Sequence, residues 1–247
     1  MPAAKLSKRQ RGLIDRLVAH YEANQGDASK LLEILTVNIT ADNALKPYIH
    51  SVKARVKDPD HLRDKLERKL REANAEGRNF NITEANLFVK INDLAGFRIL
   101  HLNTRQMKHI HQGLIALFER ERYVLREKPF ASTWDDESRS YFTGIGIKTR
   151  QSPSLYTSVH YVINANSLAQ ATCEIQVRTL MEEVWGEVNH AMNYPHALDS
   201  IACTEQIKAL ARLTSGATRL VDSIFRSYED HLAIRARQKV LRRRNRR

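Results

Sequence analysis

At 247 residues with 42% hydrophobic side chains, the chain can bury one sizeable core plus a small appended layer, and a single domain of catalytic size with helical additions is expected. Forty Lys and Arg against 28 Asp and Glu give a formal net charge of +12, which selects anionic partners such as nucleotides, RNA or acidic lipid. Two cysteines, Cys173 and Cys203, with no CxxC pair and no His/Cys cluster at zinc spacing, argue against a disulfide framework or structural zinc. With no signal-peptide core near Met1 and no run of membrane-spanning length, the expectation is a soluble cytoplasmic protein with no membrane partner.

Within 6–25 the apolar positions Leu13, Ile14, Leu17, Val18 and Tyr21 recur at helical spacing, and Gln25 and Gly26 supply a stop. Asp27 is predicted to cap a second helix carrying Leu31, Leu32, Ile34 and Leu35 that breaks before Pro47; both helices are expected only to pack. Residues 51–57 alternate with the period of a strand, Val52, Ala54 and Val56 against Lys53, Arg55 and Lys57. That basic face must meet water or an anion. Asp58, Pro59 and Asp60 make a turn and cap for a third helix with Leu62, Leu66 and Leu70 as its buried stripe, ending near Gly77. Lys65 lies on its first turns, close to the strand end.

A short helix at 84–90 precedes a strand at 94–102 with Asp93 at its entrance. A helix at 104–122 follows, with Met107, Ile110, Leu114, Leu117 and Phe118 on one side, and then a strand near 123–126. Residues 129–139 read as a polar, acidic loop, and 141–148, 157–164 and 171–178 as three successive strands. The intervening 149–155 reads as a loop long enough to be mobile. Thr179 begins a helix through Asn193, stopped by Pro195, and a final helix runs from about Ser200 past His231. Residues 235–247 contain no acidic residue and are mostly arginine, which reads as a solvated helix end in preference to a dedicated RNA-binding tail.

Two stretches set a carboxylate beside an apolar strand: Asp93-Leu94-Ala95-Gly96-Phe97-Arg98 and Glu174-Ile175-Gln176-Val177-Arg178-Thr179. One such carboxylate is ordinarily just solvated. Two of them in a chain this rich in Lys and Arg point to a Mg²⁺ site for nucleotide phosphates.

In chain order the pieces are Arg55-Val56-Lys57 with Lys65, the Asp93 motif, Tyr156-Thr157-Ser158-Val159-His160, the Glu174 motif, and the segment from Trp185 to His190. This succession resembles the synthetase domain of the RelA/SpoT family of bacterial alarmone synthetases over about residues 45–195, at the length of a small stand-alone member. The resemblance implies an α+β fold of nucleotidyltransferase type, a mixed sheet of about five strands flanked by helices. The synthetase domain would occupy 48–196, with N-terminal helices at 1–47 and a C-terminal helix and basic tail at 197–247. The implied activity is that of a Mg²⁺-dependent pyrophosphokinase, moving the β,γ-pyrophosphate of ATP to the ribose 3′-hydroxyl of GDP or GTP to give (p)ppGpp and AMP.

The resemblance also assigns roles. Asp93 and Glu174 become the catalytic pair and the Mg²⁺ ligands, with Glu174 able to accept the proton of the attacking hydroxyl. Arg55 and Arg98 match the arginines that sandwich adenine, and Lys57 and Lys65 would neutralise the phosphates of ATP. Tyr156 matches the tyrosine that stacks on the acceptor guanine, and His160 a phosphate-contacting histidine. Gln176 and Arg178 share Glu174's strand face and would line the acceptor site, while His190 reads as a supporting residue.

The departures cluster at the acceptor. Where the family commonly reads Lys-x-Asn-Gly-Tyr, this chain has Ser152-Pro153-Ser154-Leu155-Tyr156, without the lysine, the asparagine or the glycine, so Lys148 or Arg150 would have to supply the missing cation. Gly144-Ile145-Gly146-Ile147-Lys148 replaces a usual Tyr-Ile pair, and Asn189 and Pro195 stand where a Glu and a Lys are common. The acceptor therefore stays open among GDP, GTP, an adenine nucleotide and the tRNA 3′ end, the last as in toxic small members. A catalytically faded nucleotide- or RNA-binding module is the non-enzymatic alternative. The sequence carries no His-Asp dyad of a hydrolase half, so synthesis without degradation is expected. Family analogy and apolar stripes in both terminal helices raise a homo-oligomer.

Overall fold

Odd and even residues of the central strands face opposite ways, and this alternation divides the molecule into an apolar and a polar layer. The computed structural model describes residues 6–165, 171–193 and 199–244. In chain order the elements are α1 (Lys8–Asn24), α2 (Gly26–Ala41), β1 (Ser51–Val56), α3 (Pro59–Ala75), a 3₁₀ turn (Glu84–Asn86), α4 (Leu87–Lys90), β2 (Ala95–His101), α5 (Gln106–Arg120), β3 (Val124–Leu125), β4 (Phe130–Thr133), α6 (Asp136–Gly144), β5 (Lys148–Gln151), β6 (Ser158–Asn164), β7 (Thr172–Thr179), α7 (Leu180–Asn193) and α8 (Ile201–Arg244). The sheet has seven strands in the order β1-β2-β7-β6-β4-β5, with β3 pairing β6 off this path. Its β2–β7 and β4–β5 pairs are parallel and the others antiparallel.

The register fixes the faces. Lys53 pairs Arg98, Arg98 pairs Gln176, Gln176 pairs His160 and His160 pairs Phe130, so these five side chains lie in one row across the polar face. Arg55, Gly96, Glu174 and Val162 form the next row. The opposite face carries Ala95, Phe97, Ile99, Ile175, Val177, Val159, Tyr161 and Ile163, all buried under Leu31, Leu35 and Ile39 of α2 and Met107, Ile110, Leu114 and Phe118 of α5. A second core joins Ile14, Leu17, Val18 and Tyr21 of α1 to Leu62, Leu66 and Leu70 of α3, with Leu87, Ile91 and Leu94 closing it toward Asp93. No helix among the described residues is long and apolar enough to cross a membrane.

Local chemistry sets the helix ends. Ser7 and Gln10 form a reciprocal capping box on α1, and Asp58 accepts from the backbone N–H groups of Asp60 and His61 ahead of Pro59 at the start of α3. Gly77 leaves α3 with φ +62°. Asp27 is not the cap of α2: Gln25 takes that position, and the Asp27 carboxylate sits in the first turn, where it complements the exposed amides.

The region 129–155 departs most from expectation. Residues 129–139 are no loop, because Phe130–Thr133 forms β4 between β6 and β5. Residues 141–148 are no strand, because Asp135 caps α6 by accepting from the Glu137 amide, and Asp136 and Glu137 fill its first turn. Phe142 is then buried from a helix, Gly146 turns the chain at φ +86°, and β5 starts at Lys148 and runs to Gln151, into the stretch 149–155 expected to be a mobile loop. The expected stop at Pro195 lies outside the described residues. Cys173 and Cys203 are both free thiols.

Candidate active site

Asp93 lies in the turn entering β2, and Glu174 sits on the adjacent parallel strand β7 opposite Gly96. Both border a cavity of about 490 Å³ on the polar face, walled by Lys53, Arg55, Arg98 and Gln176. The two carboxylates therefore converge as expected. On their other side, a smaller space of about 220 Å³ is bordered by Lys65, Lys69 and Lys90, the last two missed in the sequence.

Lys57 Nζ lies 3.1 Å from one Asp93 oxygen and Lys65 Nζ 2.7 Å from the other. Burial alone would raise the Asp93 carboxyl, but the two ammonium groups outweigh it and hold the group ionised below its usual range. Lys57 moves down, chiefly through burial, with Asp93 opposing and with Lys65 and Arg55 adding repulsion. The Tyr21 hydroxyl of α1 donates to the Lys57 carbonyl at 2.5 Å, so α1 steadies the end of the cation strand.

The donor set fits a hard divalent ion. Both carboxylates are held ionised and border the same cavity. Mg²⁺ characteristically takes one or two protein carboxylates and completes its shell with phosphate oxygens and water, whereas structural zinc demands four protein ligands.

A second cavity of about 300 Å³ shares Arg55, Arg98, Gln176 and Glu187 with the first and is bordered by Tyr156, Arg178, Trp185 and Gly186. The Tyr156 hydroxyl donates to Gln176 Oε1 at 3.1 Å, and the Arg178 guanidinium lies 5.6 Å from the centre of the Tyr156 ring. His160 Nδ1 donates to Glu174 Oε1 at 2.9 Å, and its ring stacks on Phe130 at 5.0 Å, with Arg150 also over Phe130 at 3.5 Å. Burial pushes the Glu174 carboxyl up, and the His160 hydrogen bond and charge bring it below its ordinary value. Among the described residues, two of the five buried side-chain polar atoms lacking a hydrogen-bond partner belong here: His160 Nε2 and Arg178 Nε. Such orphans are rare in folded cores and concentrate where ligands bind.

The unusual segment before Tyr156 has its own solution. Ser152 is buried, and its Oγ accepts from the Tyr156 amide at 3.1 Å. Leu155 adopts φ +60°, a left-handed conformation that glycine takes without a Cβ penalty.

Arg55, Lys57, Lys65, Arg98, His160 and Gln176 thus lie around the two carboxylates or the cavity they border, while Tyr156 and Arg178 line the adjoining cavity. Lys148 does not: it is exposed on β5 and borders neither cavity, because β5 is the sheet edge. His190 is an exposed residue at the rim of the second cavity. Glu183 and Glu187 of α7, which bind Arg98, were not legible, although acidic residues four apart on a helix following a basic strand are a usable signal.

A mixed sheet with one face helix-covered and the other presenting two carboxylates among guanidinium and ammonium groups is an architecture suited to polyphosphate chemistry. The chain belongs to the RelA/SpoT family, since the family model described as the region found in RelA / SpoT proteins matches residues 54–199. Among solved structures, small alarmone synthetase 1 from Bacillus subtilis superposes with a TM-score of 0.57 at 17% identity, covering 87% of this chain and 97% of that one. The same protein bound to AMPCPP gives a TM-score of 0.56 at 16% identity, over 85% and 98% of the two chains. A GTP pyrophosphokinase family protein from Streptococcus pneumoniae gives 0.54 at 18% identity, over 93% and 98%. No curated protein matches significantly in sequence.

Proposed function

We propose that the chain is a Mg²⁺-dependent pyrophosphokinase that transfers the β,γ-pyrophosphate of ATP to the ribose 3′-hydroxyl of GDP or GTP. The observation that carries this reading is the convergence of Asp93 and Glu174, from distant parts of the chain, on one cavity walled by Arg55, Arg98 and Lys53. Family membership and the fold it shares with alarmone synthetases support the reaction class.

The acceptor 3′-oxygen attacks the β-phosphorus of ATP, the bond from that phosphorus to the α-phosphoryl oxygen breaks, and AMP leaves. Asp93 and Glu174 would hold Mg²⁺, whose chemistry there would be charge neutralisation and polarisation of the transferred group. Lys57 and Lys65 exchange Asp93 for phosphate oxygens, which positions the donor and stabilises charge on them. Arg55 and Arg98 hold the adenine. Glu174, held ionised beside His160, accepts the hydroxyl proton. Tyr156 offers a ring to the acceptor base, and the buried His160 and Arg178 supply polar groups near it.

The arginine-rich end of α8 and the altered segment at 152–155 favour one further acceptor, the 3′ end of a tRNA, because phosphate neutralisation gives sequence-independent affinity for RNA. Incubation with ATP labelled in the β-phosphate, offered GDP, GTP, ATP or tRNA in turn, separates these readings. Label at the 3′ position of the guanine nucleotide, abolished by Asp93→Asn and by Glu174→Gln, is the expected result. Label on tRNA that disappears with its 3′ terminus selects the second reading, and ATP left intact with every acceptor overturns both.

A further inference from the structure

Behind the cations that wall the two cavities lies a buried carboxylate that belongs to neither motif of the sheet. Glu183, on the first turn of α7, is only 6% exposed. Its Oε1 accepts from Lys53 Nζ at 2.7 Å and from Arg98 Nη1 at 2.8 Å, and its Oε2 is in ion-pair contact with Arg178 Nη2. These three cations come from β1, β2 and β7, one from each of three adjacent strands. Arg98 faces the larger cavity as well as the smaller one, while Arg178 reaches over Tyr156 in the smaller one alone.

The helix is shaped around this contact. One turn beyond Glu183, Gly186 faces Arg178 so closely that a Cβ there would stand 2.5 Å from Nη1 and 3.1 Å from Cζ. Any other residue at 186 would displace the guanidinium from the place where Glu183 holds it. Glu187, four residues on from Glu183 and on the same helix face, gives Arg98 a second carboxylate. A planar guanidinium held through one edge keeps its flat face available for a ring, which is what a base platform requires.

Building on the functional reading above, we propose that Glu183 is a positioning residue shared by both nucleotide sites: it holds Arg98 for the donor base and Arg178, behind Tyr156, for the acceptor base. It touches no reacting atom. Its loss loosens both platforms together, and Gly186 is the specific requirement of the Arg178 arm. A single buried anion thus ties the geometry of the donor cavity to that of the acceptor cavity.

The test measures the two affinities separately on the full chain, by calorimetry with AMPCPP and Mg²⁺, and then with GDP added to protein saturated in AMPCPP. Glu183→Gln is expected to weaken both about tenfold or more, with KM rising for both substrates and kcat falling less. Gly186→Ala, a change that favours the helix, is expected to weaken GDP alone by a similar factor while AMPCPP binds as in the wild type. Glu183→Asp keeps the charge one methylene further back and should fall between wild type and Glu183→Gln on both ligands; with Gly186→Ala it carries the test if Glu183→Gln fails to fold. Unchanged or tighter binding of either nucleotide in the Glu183 variants, or equal losses on both in Gly186→Ala, overturns the proposal. Wild-type protein that binds neither nucleotide refutes the functional reading itself, a result distinct from these.

Discussion

Asp93 is tightly constrained, since Lys57 and Lys65 each contact one of its two oxygens. A divalent ion alone must displace an ammonium group to reach it, whereas a nucleotide brings phosphate oxygens that draw both lysines away. Titration with Mn²⁺ followed by electron paramagnetic resonance should therefore give weak retention without nucleotide and at least tenfold tighter retention with AMPCPP, a contrast of about 1.4 kcal/mol or more. Equal retention in both conditions would contradict this exchange. Glu182, beside Glu183, faces the opposite constraint: burial pushes its carboxyl up to about 7, against a backbone hydrogen bond from Thr157 and the charge of Arg178. Nothing in the sequence distinguishes these neighbouring acids; one is surrounded by cations and the other is not.

At the scale of elements, α1 serves the site as well as the core. Tyr21→Phe removes the hydrogen bond to the Lys57 carbonyl and should cost about 1 kcal/mol in urea unfolding while raising KM for ATP. Leu17, fully buried between α1 and α3, should cost 2–5 kcal/mol, roughly, as Leu17→Ala. A loss well under 1 kcal/mol there would mean that this core contributes little. The turn before Tyr156 gives a prediction of opposite sign. Leu155 at φ +60° carries left-handed strain on the order of 1 kcal/mol, so Leu155→Gly should leave the unfolding midpoint unchanged or higher, whereas a β-branched Leu155→Val should lower it.

The whole molecule balances these charges in a way that pH should reveal. Asp93, Glu174 and Glu183 are held below their ordinary values in the fold, so the stability they contribute is present above about pH 4.5 and is lost as pH falls through their folded values. Glu182 is shifted the other way. The unfolded chain releases its proton near 4.5 and the folded one near 7, so stability falls as pH rises across that window, by on the order of 3 kcal/mol at most. Urea unfolding at pH 5 and pH 7.5 should show this decline in the wild type and a flatter response in Glu182→Gln. An identical slope in both would remove Glu182 as its source.

Much of this arrangement was readable because it is periodic. The alternation of Lys53, Arg55 and Lys57 with Val52 and Val56, and of Glu174, Gln176 and Arg178 with Ile175 and Val177, fixes which side chains share a face whatever the sheet order, since a strand has a period of two. Helical stripes such as Leu62, Leu66 and Leu70 are legible for the same reason. The stretch 129–155 was not, because β4 is four residues long with only Ala131 and Thr133 pointing inward, and it becomes a strand only by pairing with β6 and β5. Local sequence thus settled the chemistry available on each face. Which of those groups meet, including Glu183 of α7 with Lys53 and Arg98, was decided by the packing of a helix over the sheet, because these partners lie 130 and 85 residues away in the chain, beyond the reach of any local pattern.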